Sequence, residues 1–177
     1  MLDRTENIAA AVENWLAQFD DALTKPDHGL LQSLFHPDSY WRDMLALSWT
    51  LQTVNGRDAI LETLTVQAAE VAPAGFAIDP DRAAPRQVMR AGTHCIEAIF
   101  RFETADGRGE GIVRLTPDAG DGNRLKAWTL LTALAELKGF EEQIGVARPR
   151  GSVYSRDFRG PNWLDLRKAA AEYADHD

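Results

Sequence analysis

Asp43 is the residue of this sequence best placed to do chemistry. From Tyr40 to Trp49 the odd positions read Trp41, Asp43, Leu45, Leu47 and Trp49, so a carboxylate stands in an otherwise apolar row. A carboxylate held in apolar surroundings becomes a better base near neutral pH. The structural alternative is an acid at a pocket rim, paired with an arginine or hydrogen-bonded to backbone, since a lone buried acid is a weak signal for catalysis. His94 heads a second apolar row (His94, Ile96, Ala98, Phe100, Phe102) and is a candidate acid–base partner of Asp43 across the core. His36, nearer in sequence, is the other candidate, at the mouth of a pocket. For both histidines a structural role, capping a strand or a turn, is favoured over chemistry. The histidines at 28, 36, 94 and 176 have no metal-ligand spacing, so neither a metal nor another cofactor is expected. Cys95, the single cysteine, excludes an internal disulfide and reads as a small residue packed in a sheet.

The elements that must hold these residues follow from periodicity. Ile8, Val12, Trp15, Leu16, Phe19 and Leu23 form one face of an amphipathic helix that Pro26 stops. Asp27 is suited to cap a short second helix with Leu30, Leu31, Leu34 and Phe35, and His36-Pro37-Asp38 is expected to break it. The alternation from Tyr40 to Trp49 predicts a strand. Asn55-Gly56 predicts a turn into a third helix with Ile60, Leu61 and Leu64. Residues 72–86, with Pro73, Pro80 and Pro85, read as irregular edge or loop. Three strands follow, over Thr93–Glu103, near Glu110–Leu115 and over Leu125–Leu134, joined at Asp106-Gly107 and at 118–123. Helices first and a meander afterwards is an α+β plan.

At 177 residues, with 45% hydrophobic and 26% charged side chains, the chain suits one globular domain that needs neither disulfide nor metal to fold. A net charge of −8 argues against a molecule-wide nucleic-acid surface. The acidic start MLDRTENIAAAVENW holds no apolar signal core and no run is long enough to span a bilayer, so a cytoplasmic protein without membrane partners is expected. Charge is unevenly spread. Residues 148–168 hold six basic and two acidic side chains, a net of +4 that leaves −12 on the remainder. This stretch reads as an extended basic arm ending in a short helix from about Trp163 to Tyr173. Nucleic-acid binding is a weak reading without interleaved aromatics. A solvated tail, or docking on an acidic body with Trp163 as anchor, are the others.

Two helices, the phrase LFHPDSYWRD, a helix after NGRDAI and a three-strand meander together resemble the nuclear-transport-factor-2-like superfamily, which includes ketosteroid isomerases and polyketide cyclases. The resemblance covers roughly residues 5 to 137. It implies a cone, in which a curved antiparallel sheet wraps around the N-terminal helices and leaves an apolar pocket, with 138–177 as the arm. The run KAWTLLTALAELKGFEEQIG, followed by RPRG and NWLDLR, resembles the segment that joins an N-terminal cone domain to the flavin domain in one group of flavin-dependent monooxygenases. No GxGxxG turn follows. Gly107 and Gly109 lead to Ile112, and Gly120 and Gly122 to Leu125, so no flavin site is expected here.

The isomerase resemblance puts Asp43 where those enzymes carry a proton-shuttling aspartate. It also puts Phe19 in place of their oxyanion-binding tyrosine and Gly111 in place of their protonated aspartic acid. Lost oxyanion donors would forfeit on the order of several kcal/mol of transition-state stabilisation. The leading expectation is therefore a small-molecule-binding and dimerisation module. Its pocket would be lined by Trp15, Phe19, Trp41, Leu45, Phe100 and Trp128. Its partners would be a small apolar ligand, a second copy paired through the outer sheet face by Trp128, Leu130 or Ile99, and a flavoprotein. The alternative is a cofactor-free isomerase, cyclase or hydrolase with Asp43 as general base and His94 or His36 beside it.

Overall fold

The computed structural model describes residues 4–145, 148 and 160–172, in two compact units divided between Glu141 and Glu142. In the first unit, helix α1 (Arg4–Thr24) buries Val12, Trp15, Leu16, Phe19 and Leu23, the face set by the 3.6-residue period. Asp27 caps α2 (His28–Ser33) by accepting the Leu30 N–H at 2.9 Å. Strand β1 (Phe35–Met44) and β2 (Leu51–Asn55) lead to α3 (Arg57–Val71), whose Ile60, Leu61, Leu64, Ala68 and Val71 are buried. Then come β3 (Ala74–Ile78), β4 (Arg86–Arg90), β5 (Thr93–Glu103), β6 (Gly107–Asp118) and β7 (Arg124–Leu137).

The strands form one sheet in the order β2-β1-β7-β6-β5-β3, with β4 also on β5. All pairs are antiparallel except β1–β7, which is parallel, so the expected antiparallel sheet is mixed. β1, the first strand of the chain, lies between its antiparallel hairpin partner β2 and the last strand of the meander, to which it runs parallel. Two further expectations need correction. The helix with Leu30 and Leu31 stops at Ser33, so Phe35, expected within it, opens β1 instead. His36-Pro37-Asp38, which ends the helical pattern as expected, lies inside that strand, where the register against β7 slips between Phe35 and Tyr40. Residues 72–86 are not wholly irregular, since β3 occupies Ala74–Ile78 and β4 begins at Arg86. Pro73, Pro80 and Pro85 flank these strands and lie in neither, and both strands pair along the outer side of β5.

The register lays out two faces. On the inner face Phe100 opposes Gly111 and Phe102 opposes Gly109, and a Cβ at either glycine would stand 2.3 Å from the facing ring. Phe76 stacks on Phe102 at 4.8 Å and meets Phe19 edge-on at 5.0 Å, and Phe19 stacks on Trp15 at 5.0 Å. Aromatic rings thus fill the space between helices and sheet. On the outer face one row runs Asn55, Tyr40, Thr129, Arg114, Glu97, Arg86. The next runs Thr53, Arg42, Leu131, Ile112, Ile99.

In the second unit, α4 (Trp163–Ala171) opens with a reciprocal capping box. The Asn162 side chain accepts the Leu164 and Asp165 N–H groups, and Asp165 accepts the Asn162 N–H at 3.0 Å. The helix starts at the expected Trp163. Tyr173 and most of the arm before Asn162 lie outside the described residues. Among those described, no helix is long and apolar enough to cross a membrane.

Candidate functional site

Asp43 is fully buried, and every direction around its carboxylate is taken. Strand β1 stops at Met44 because Leu45 adopts φ 65°, so the chain turns back over residues 45–50, closed by the Leu45 N–H on the Thr50 carbonyl at 3.1 Å. The carboxylate organises that turn. Oδ2 accepts the Leu47 N–H at 3.1 Å, the Ser48 N–H at 2.8 Å and the Ser48 hydroxyl at 2.6 Å. Oδ1 accepts the Thr132 hydroxyl at 2.6 Å, and Thr132 in turn accepts the indole N–H of Trp41 at 2.9 Å. A buried carboxylate is tolerated only when its lone pairs are met in this way. The strand expected from Tyr40 to Trp49 therefore ends early. Its odd row breaks up, with Leu45 and Trp49 exposed and Leu47 buried beneath the turn.

The predicted acid–base pair is not assembled. Asp43 lies opposite Thr132, Thr132 opposite Gly111, and Gly111 opposite Phe100, so one row across the sheet fixes their level. His94 sits on β5 six residues from Phe100, about 20 Å further along the strand and about 14 Å away across three strand spacings. It is exposed. His36 is half-buried with Nε2 2.8 Å from the Thr116 hydroxyl and 3.2 Å from the Thr116 carbonyl, a tie between β1 and β6. Phe19 is buried and offers no donor, and Gly111 lies under the Phe100 ring.

Of the residues expected to line a pocket, Trp15, Phe19, Trp41 and Phe100 are packed in the core, Leu45 is exposed, and Trp128 is half-buried where β6 and β7 slip register. Open volume lies elsewhere. A cavity of about 520 Å³ is walled by His94, Cys95, Ile96, Leu115, Pro117 and Leu125, at the far end of β5–β7 from Asp43. Burial pushes the Cys95 thiol up, as expected of a packed sheet residue rather than a nucleophile. A second, of about 320 Å³, lies among α1, α2 and α3. Among the described residues no three histidine, cysteine or carboxylate side chains converge on a metal position.

The sequence reading missed Glu97. This outer-face carboxylate is 7% exposed and bound by three arginines: Arg90 through two bonds at 2.8 and 2.9 Å, Arg114 at 2.9 Å and Arg86 at 3.3 Å. Led by Arg90, these bonds hold its carboxyl down at about 2. The signal was present as basic residues at 86, 90 and 114, but only the register of β4, β5 and β6 brings them around one acid.

No family model and no curated protein matches this sequence. Solved structures match its fold. A nuclear-transport-factor-2-like protein of unknown function from Silicibacter pomeroyi aligns with TM-score 0.53 at 16% identity, over 73% of this chain and 98% of that one. A nuclear-transport-factor-2-like superfamily protein from Salmonella enterica aligns with TM-score 0.51 at 12% identity, over 82% and 99%. ActVI-ORFA from Streptomyces coelicolor aligns with TM-score 0.51 at 14% identity, over 73% and 98%. The chain thus has the nuclear-transport-factor-2-like α+β fold, with N-terminal helices packed on a mixed, mainly antiparallel seven-stranded sheet. That fold commonly binds small molecules.

Proposed function

We propose that this chain is a non-catalytic module that binds a small apolar molecule and pairs with a second copy. The observation that carries the reading is that the acid is buried with its lone pairs taken, while a hollow with apolar walls stands apart from it. Asp43 is spent on holding a turn, whereas the 520 Å³ cavity with apolar Ile96, Leu115 and Leu125 lies at the other end of the same strands. The enzymatic alternative, an isomerase, cyclase or hydrolase with Asp43 as general base, needs a lone pair facing substrate, and Thr132, Leu47 and Ser48 occupy those of Asp43.

Pairing is assigned to the outer sheet face. Leu131, Ile112 and Ile99 form an apolar row there, with Tyr40 and Met44 exposed beside it and Arg42 and Arg114 at its margins, the residue mix of an interface core and rim. Trp128 and Leu130, also expected to supply this contact, are half-buried at a bulge and buried in the core. Association with a flavoprotein rests on the likeness of residues 126–145 and of the arm to a monooxygenase linker.

Native mass spectrometry of the gently purified chain tests this reading. A dimer carrying a small organic mass is expected. Leu125→Arg should lose the bound mass and keep the dimer, and Ile112→Arg should do the reverse. Turnover of a substrate that disappears in a folded Asp43→Asn variant would sink the proposal.

A further inference from the structure

The outer face of the sheet carries a third hollow, of about 300 Å³, over β1, β7 and β6. Ile112 and Leu131, opposite one another on β6 and β7, form its apolar floor. Arg42 stands beside Leu131 on β1, and Arg114 lies two residues from Ile112 on β6. Two guanidinium groups thus flank the hollow diagonally across β7. Tyr40 and Thr129, in one row with Arg114, add hydroxyl groups to the same lining.

The two arginines are not equally engaged. Arg114 donates its Nε–H to Glu97 at 2.9 Å and turns Nη1 towards the Thr129 hydroxyl at 3.5 Å. Arg42 is exposed and donates through Nη1 to the Thr53 hydroxyl at 2.9 Å, and among the described residues no carboxylate pairs with it. Glu110, the next outward-facing acid along β6, is bound to Arg82 at 2.8 Å. Charge is therefore left over. Arg42, Arg86, Arg90 and Arg114 against Glu97 leave a net of +3 in this cluster, whereas residues 1–141 as a whole hold 13 basic and 21 acidic side chains. A positive patch on an acidic body draws anions to itself.

We infer that this hollow is a site for a small organic carboxylate, held between Arg42 and Arg114 with its apolar body on Ile112 and Leu131. A guanidinium presents paired N–H groups that match the two oxygens of a carboxylate, and only Nη1 of Arg42 is engaged. The apolar floor disfavours a bare inorganic anion, and the small volume disfavours a large ligand. Every residue of the site belongs to one copy, so the inference does not rest on the pairing proposed for the same face. The two are compatible, because a carboxylate supplies the countercharge that guanidinium groups need when a second copy buries them.

Benzoate added to the full chain, followed by amide NMR, tests the site. Saturable shifts are expected at Thr53, Ile112, Thr129 and Leu131 by about 20 mM, past the millimolar range of a small anion on an open face. Benzamide keeps the shape without the charge, and inorganic phosphate keeps the charge without the apolar body. Each should bind at least about tenfold more weakly than benzoate. Arg42→Gln should weaken benzoate by at least about tenfold with the circular dichroism unchanged, and Arg42→Lys, which keeps the charge but not the fork, should fall between. No saturable shift would overturn the inference. So would benzamide or phosphate binding as well as benzoate, or Arg42→Gln binding like the wild type. Sedimentation of the same samples reads pairing separately, so a chain that pairs but takes up no benzoate overturns this inference and leaves the pairing standing.

Discussion

Asp43 and Glu97 are both buried carboxylates, and the fold satisfies them in opposite ways. Asp43 faces the core end of β1 and is met by neutral donors, namely two backbone N–H groups and two hydroxyls, mostly from the next few residues. Glu97 faces outward and is met by three guanidinium groups from β4 and β6. The first arrangement shapes a local turn and hides it. The second clamps an edge strand to the sheet and leaves surplus positive charge on the surface. A buried acid is therefore not one kind of feature. Its donors show whether it serves the backbone, the sheet or a ligand, and neither of these has a lone pair left for a substrate.

The largest effect is expected from removing Asp43. Asp43→Ala strips the acceptor from the buried Leu47 N–H and from Thr132, and should cost about 3 kcal/mol or more, read as a lower midpoint in urea. A loss under about 1 kcal/mol would mean that the turn is held by packing alone, and the contrast with Glu97 would fail.

Acid separates the two sites next. The carboxyl of Glu97 is held at about 2, below its ordinary 4.5, so its contribution to stability is present above the unfolded value. That contribution is lost as pH falls from about 4.5 through 2. Stability measured over this window should drop in the wild type and drop less steeply in Glu97→Gln. Equal slopes would mean that the arginines do not hold the acid.

The smallest effect sharpens the ranking within the cluster. Arg86 makes the longest of the Glu97 contacts, at 3.3 Å, and its side chain is 56% exposed. Arg86→Ala should change stability by at most about 0.5 kcal/mol. Arg114→Ala, from a side chain 30% exposed and bonded at 2.9 Å, should change it more.

Much of the frame was legible because period and punctuation are local. The strand Thr93–Glu103 has the bounds its alternation gave, and Asp27 caps the helix it was expected to cap. The early end of β1 was not legible, because alternation continues through Trp49 while the hydrogen bonds of Asp43 bend the chain at Leu45. The strands β3 and β4 were hidden by Pro73, Pro80 and Pro85, which flank these five-residue strands and enter neither. The site suffered most. Aromatic residues that read as a pocket wall are large enough to fill the cone, and whether Asp43 meets His94 depends on register across four strands, which no local pattern carries. Phe19 and Gly111 were informative positions, since neither offers a side-chain donor, Phe19 packing in the core and Gly111 lying under the Phe100 ring.

The parallel pairing of β1 with β7 also bears on how the protein is made. Asp43 and Trp41 find their partner in Thr132, 89 and 91 residues further along the chain. On the ribosome β1 is synthesised early and β7 late, at about 5–20 residues per second. For several seconds β1 has β2 on one side and nothing on the other. The nascent chain thus carries an open strand edge beside an acid that lacks its hydroxyl donor, and the sheet closes only when its last strand arrives.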